Sequence, residues 1–169
     1  MIQPFVSMVD LTYEQIQKVM DVNFYGTLYM CKTFLPHLLT RPEAHITNVA
    51  SMGGSVPIPN QSIYCASKAA VKMYTESLHS ELRNTNVGVT LIIPGGVDTD
   101  LVENAKAQKE GAENRSYKLL SPITAASLII KGLENKDYRV LAGNDSKIMD
   151  FLYRLHPKKA TEIIAKKIM

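Results

Sequence analysis

The run "VGVTLIIPGG" at residues 87–96 constrains this chain more than any other stretch. It is apolar almost without interruption, so a strand formed from it needs cover on both faces. A half-exposed strand of an antiparallel sheet alternates apolar and polar side chains, and this one does not. Two weaker strand signals accompany it, "HITNVAS" at residues 45–51 and "YRVLAG" at residues 138–143. Helical patterns fill the intervals between them. Alternating strands and helices with a buried strand predict an α/β fold on a parallel sheet. About three strands are few for such a sheet, and an edge should stay open.

The helical intervals carry their own start signals. Thr12 and Gln15 have the spacing of a capping box. After them Ile16, Val19, Met20, Phe24, Leu28, Cys31 and Leu35 recur on one side, which predicts a long helix over residues 12–39. A second helix is expected over residues 62–83. Ser121 followed by Pro122 reads as an N-cap with proline at the first helical position. Residues 97–120 are polar and irregular, with a short helix expected near "TDLVENAKA". Residues 144–169 form a helical tail whose basic end, "PKKATEIIAKKIM", reads as a short helix with a solvated face; contact with a membrane surface or a partner is the other reading.

Composition excludes several classes. With 46% hydrophobic and 21% charged residues the chain is globular, and its 169 residues suffice for one domain. A net charge of +3 without a basic run interleaved with aromatics argues against nucleic acid. No apolar run reaches the length of a membrane span. Cys31 and Cys65 form no CxxC pair and, with no signal peptide visible, read as reduced thiols of a cytoplasmic protein. His37, His45, His79 and His156 have no ligand spacing, so no metal site is expected, and all four are expected at the surface or at helix ends.

The stretch "SIYCASKAAVKMY" at residues 62–74 carries chemistry. Tyr64 and Lys68 stand at i and i+4, on one helix face. A free phenol, with a pKa of about 10, is a poor proton shuttle at neutral pH. A nearby ammonium stabilises the phenolate, so the pair makes an acid–base group. The plainer reading is a buried tyrosine beside a snorkelling lysine. Ala66, Ala69 and Ala70 permit close packing or leave room for a ligand. Ser51 ends the first strand, where ligand sites of open α/β sheets lie, and no G-x-S-x-G surrounds it to suggest a hydrolase. Otherwise it is a strand-end serine serving loop backbone. Gly53 and Gly54 let the chain turn nearby. "PGGVDTD" after the second strand can bring backbone against a flat ligand, or is simply a turn whose Asp98 and Asp100 favour the next helix.

Together these residues resemble the short-chain dehydrogenase/reductase family. The resemblance runs from Asp10 to about Gly143. It rests on Ser51, on "YCASK" thirteen residues further on, and on "PGGVDT" at residues 94–99; "NVAS", "ASKAAV" and "VNFYG" also look like family sequence. It implies a Rossmann-like, doubly wound parallel sheet, of which this chain supplies part, and NAD or NADP as cofactor. It implies an oxidoreductase that interconverts a carbonyl and a secondary alcohol. Tyr64 would be the general acid or base, Lys68 would lower its pKa and bind the nicotinamide ribose, and Ser51 would hold the substrate oxygen. Asn23 would seat a water linking Lys68 to solvent. Pro94, Gly95, Val97 and Thr99 would bind the nicotinamide end, and residues 97–120 would form a substrate lid. The helices at 12–39 and 62–83 would build a homodimer or homotetramer.

One departure stands out. The family's T-G-x-x-x-G-x-G turn and its N-N-A-G strand, which seat the cofactor pyrophosphate and precede the region matched here, are absent from these residues. The chain therefore looks like the C-terminal portion of a family member, a fragment or truncated product expected to bind cofactor weakly and to be inactive alone. A second reading stays open, a non-catalytic remnant serving as an interaction or dimerisation module. The substrate is not legible: a hydroxysteroid, sugar, acyl chain or small diketone would each fit.

Overall fold

In the computed structural model, which describes residues 1–99 and 119–168, the apolar run is a buried strand, as expected, and it is the central one of the sheet. Three parallel strands, β1 (Ala44–Val49), β2 (Val87–Pro94) and β3 (Arg139–Ala142), lie in the order β1-β2-β3. Ala44 pairs with Val87 and Val49 with Ile92; Leu91 pairs with Arg139 and Pro94 with Ala142. From Val89 to Ile93 every residue of β2 is buried, including Thr90. The lone polar side chain is satisfied: Thr90 Oγ1 donates to the Asp137 carbonyl at 2.6 Å.

Helices cover the sheet. Cys31, Ile46, Leu78, Leu82, Val87 and Val89 form one apolar cluster, and Ala50, Val71, Leu91 and Ile93 form another. These clusters seat α2 (Gly26–Leu38) and α3 (Ser62–Leu82) on the strands. Helix α4 (Pro122–Glu134) packs on β3 and β2, with Gly132 so close to Val140 that a Cβ there would collide with it. Two C-terminal helices, α5 (Asn144–Leu155) and α6 (Pro157–Ile168), close around Val56, Met149, Ala160 and Ile164.

Both start signals hold. Gln15 N–H donates to Thr12 Oγ1 at 3.2 Å and Thr12 N–H to Gln15 Oε1 at 3.0 Å, which completes the capping box of α1 (Tyr13–Met20). Thr124 N–H, two residues beyond Pro122, donates to Ser121 Oγ at 3.1 Å.

The single helix expected over residues 12–39 is corrected. A π-helical turn, Asp21–Tyr25, separates α1 from α2, and the Gly26 N–H reaches back to the Asp21 carbonyl. The reason is lateral. Asn23, buried at mid-turn, bonds outward to other parts of the chain, and wide turns of this kind accommodate such a residue. His45 is also corrected, since it is half-buried within β1 and bonded to Thr90. Residues 100–118, most of the expected lid and of its short helix, lie outside the described residues. Val97 and Leu120, on either side of that segment, meet in a parallel bridge. Among the described residues no helix is long and apolar enough to cross a membrane, and no cluster of three His, Cys, Asp or Glu could hold a metal.

Candidate active site

The site forms at the carboxyl ends of β1 and β2, where an open parallel sheet leaves a crevice. Past Val49, the Ala50 N–H still bonds the Ile92 carbonyl at 2.8 Å. Ser51 then stays extended and caps the short 3₁₀ turn Met52–Gly54. Its Oγ accepts the Gly53 N–H at 3.1 Å, so the Ser51 hydroxyl hydrogen is left to donate elsewhere.

The chain turns at Gly53 and Gly54, as expected, and without a positive φ; the two glycines matter above all for closeness. A Cβ on Gly53 would sit 3.0 Å from Tyr64 Cε1, and one on Gly54 would sit 2.6 Å from the Lys68 carbonyl oxygen. The glycine pair lets the strand-end loop lie directly on the first two turns of α3. Tyr64 is thereby brought beside Ser51.

A recess of about 200 Å³ opens here. Ser51, Tyr64, Lys68, Pro94, Gly95 and Val97 line it, together with Ala50 and Met1. Six of the eight residues expected at the site thus converge. Thr99 is exposed and outside the lining. Asn23 is buried, outside the lining: its Nδ2 donates to Ser67 Oγ and to the Met1 carbonyl, each at 2.9 Å. Ser67 Oγ in turn donates to the Tyr64 carbonyl at 2.7 Å. The π-helical turn is therefore tied to the backbone of Tyr64 itself.

The electrostatics differ from expectation in one respect. Burial pushes the Tyr64 phenol above its ordinary value of 10.0; the Ser51 hydroxyl pulls weakly the other way, and Cys65 adds to the rise. The expected lowering by Lys68 is not present. Its Nζ donates to the Val49 carbonyl at 3.0 Å, and burial lowers its own pKa below the usual 10.5. Both groups are driven toward their neutral forms, because a desolvated charge is costly whatever its sign. At neutral pH Tyr64 is a phenol, a proton donor.

The turn after β2 presents backbone groups. Leu120 N–H bonds the Gly96 carbonyl and Asp98 N–H bonds the Leu120 carbonyl, each at 2.9 Å. In a parallel bridge of this pattern Val97 directs its own N–H and C=O away from Leu120. That leaves a donor–acceptor pair on a residue that lines the recess, which is the complement of a primary amide.

Two residues that hold the site escaped the sequence reading. Gln3, which is 1% exposed, accepts the N–H groups of Ile63 and Tyr64, and Asp145 accepts the N–H of Gly96. No sequence spacing links either to its partner. Only the glycines at 95, 96 and 143 hinted at a close approach.

Comparison with known proteins agrees with this arrangement. A family model described as short chain dehydrogenase matches residues 2–110. SadH of Mycobacterium tuberculosis, a protein named as an oxidoreductase, is 34% identical over 162 residues, which cover 90% of this chain and 59% of SadH. The chain thus spans less than two thirds of that relative. Among solved structures, a short chain dehydrogenase from Burkholderia cenocepacia in complex with NADP superposes with a TM-score of 0.79 at 24% identity, over 96% of this chain and 65% of that one. A Burkholderia phymatum relative in complex with NAD gives 0.78 at 23% identity, over 94% and 64%. At these identities the likeness is one of fold.

Proposed function

The chain belongs to the short-chain dehydrogenase/reductase family, and from that premise we propose that it carries the proton-transfer half of an NAD(P)-dependent oxidoreductase acting on a carbonyl or secondary alcohol. One observation carries this reading: Ser51, Tyr64, Lys68 and the turn at residues 94–97 line one recess. A nicotinamide cofactor suits the donors present, since Val97 offers an amide-complementary pair and Lys68 an ammonium. When bound, it supplies or accepts the hydride.

The protein's residues do the rest. Ser51, its Oγ already accepting from Gly53, donates its hydroxyl hydrogen to the substrate oxygen. Tyr64, protonated at rest, gives its proton to that oxygen as the carbonyl is reduced and takes it back in alcohol oxidation. Lys68 lies one helical turn further on, where its ammonium would bond the cofactor ribose and favour the phenolate left by proton transfer. Pro94, Gly95 and Val97 would hold the carboxamide end, with Thr99 beside them. Asn23 steadies Tyr64 through Ser67, and on this reading it also seats the water that links Lys68 to solvent.

Assembly follows from surface. Tyr29, Met30, Phe34 and Met73 are each about half exposed, between 49% and 60%, on α2 and α3. We read this face as the contact of a homodimer or homotetramer. The same face supports the second reading, an interaction module without turnover. One experiment separates the two. The protein, expressed from its complete coding sequence, is offered NADH or NADPH with a panel of ketones and diketones, and loss of the nicotinamide absorbance is followed. Both cofactors belong in the test because fold neighbours were solved with each. Turnover that Tyr64→Phe abolishes supports catalysis. An oligomer with no turnover on any carbonyl overturns it.

A further inference from the structure

We propose that Asp145 is a positioning residue for the nicotinamide end of the cofactor, acting through the turn at residues 94–97. This rests on the reading above. Asp145 does not line the recess, and it is exposed. Its Oδ2 accepts the Gly96 N–H at 2.7 Å, a short charge-assisted bond across 49 positions. A Cβ on Gly95 or on Gly143 would collide with its Oδ1, so glycine at both positions makes space for this carboxylate. Gly143, at φ 120°, also turns the chain so that α5 begins against the end of β2.

Three further bonds complete a clamp. Ser146 Oγ, next along α5, donates to the Ile93 carbonyl at 2.9 Å. Gly95 N–H donates to the Ala142 carbonyl, and Leu120 N–H to the Gly96 carbonyl, each at 2.9 Å. Among the described residues Asp145 alone holds the Gly96 amide. The peptide plane between Gly95 and Gly96 would otherwise turn easily, because neither residue has a side chain to restrain it. The bond to Asp145 anchors the Gly95 side of the turn, so that the next plane, which carries the Val97 N–H and whose Gly96 carbonyl is held by Leu120, has a fixed point to hinge from.

A simpler role exists for an aspartate in the first turn of a helix, which is to balance the helix dipole. That role predicts a small loss of stability and no selective effect on any ligand. Positioning predicts a loss confined to ligands that contain nicotinamide.

The test is calorimetric binding of NADPH, NADH and ADP-ribose to the protein expressed from its complete coding sequence. ADP-ribose keeps the adenine, pyrophosphate and ribose but lacks the nicotinamide. Asp145→Ala should raise the Kd for the preferred reduced cofactor roughly tenfold, the worth of one charge-assisted hydrogen bond. It should leave ADP-ribose within about threefold of wild type. Asp145→Asn, which keeps an acceptor oxygen, should restore most of the affinity. If Asp145→Ala folds poorly, Asp145→Ser keeps a polar first turn without the reach to Gly96 and should reproduce the selective loss. Equal weakening of all ligands, or of none, overturns the role. A wild type that binds ADP-ribose as tightly as NAD(P)H overturns it too, while sparing the cofactor reading. A wild type that binds none of the three overturns both.

Discussion

Gln3 Oε1 accepts the backbone N–H of Tyr64 at 3.2 Å, and that of Ile63 at 2.9 Å, from a position 61 and 60 residues away in sequence. The nominal N-cap of α3, Gln61, makes no capping bond of its own; its Nε2 instead donates to the Gln3 carbonyl at 2.9 Å. A distant side chain thus caps the helix that bears the acid–base residue. Gln3→Ala strands two first-turn N–H groups in a partly buried setting. The expected cost is about 2 kcal/mol, in the range of a lost cap and an unsatisfied buried donor. Urea unfolding measures it, and a loss below about 0.5 kcal/mol would show that water replaces the side chain at no real cost.

Tyr64→Phe keeps the ring that packs on Gly53 and removes only the hydroxyl. Turnover should fall at least about a hundredfold, the low end for general acid–base catalysis. Cofactor Kd should stay within about threefold. Retention of more than a tenth of the wild-type kcat would remove Tyr64 from the mechanism.

Lys68→Met should separate function from stability. Burial lowers the Lys68 pKa, so its charge opposes folding at every pH below its ordinary 10.5. Its bond to the Val49 carbonyl offsets part of that. The variant should therefore unfold within about 1 kcal/mol of wild type while losing cofactor affinity and turnover. A large drop in stability with normal cofactor binding would reverse the assignment.

His45 should make stability pH-dependent. The one hydrogen of Thr90 Oγ1 goes to Asp137, so His45 Nε2 must donate to that oxygen, at 2.8 Å. That bond puts the hydrogen of the neutral ring on Nε2. Burial first, and Lys136 second, hold the His45 pKa below its ordinary 6.5. The unfolded chain then binds the proton more tightly, so the contribution is complete above pH 6.5 and is lost as pH falls through the folded value. The melting temperature of wild type should drop more steeply than that of His45→Gln as pH falls from about 7 to about 5. Parallel slopes would show that His45 titrates no differently in the two states.

The exposed face of α2 and α3 predicts assembly. Met30→Asp combined with Phe34→Asp should shift the protein toward monomer in light scattering without lowering its melting temperature, since both side chains are substantially exposed. An unchanged mass would mean that the face is not the contact.

Some of this protein is local enough to be determined by sequence alone. The nearly continuous apolar run of β2 calls for a strand covered on both faces, because its apolar side chains need apolar neighbours whatever lies beyond. The Thr12–Gln15 box and the Ser121–Pro122 start depend on bonds three residues long. Tyr64 and Lys68 share a helix face because they stand four residues apart, and the resemblance to the family is what set Ser51 in register with them. Tertiary structure decided the rest. The break at Asn23 arises from a bond to Ser67, 44 positions away, which helical periodicity does not encode. The upward shift of Tyr64 comes from burial by elements remote in sequence, which outweighs the opposing pull of the Ser51 hydroxyl. Gln3 and Asp145 hold the two sides of the site through side-chain bonds to backbone, and any residue can offer a backbone amide. Such contacts leave no pattern in the chain until folding brings the partners together.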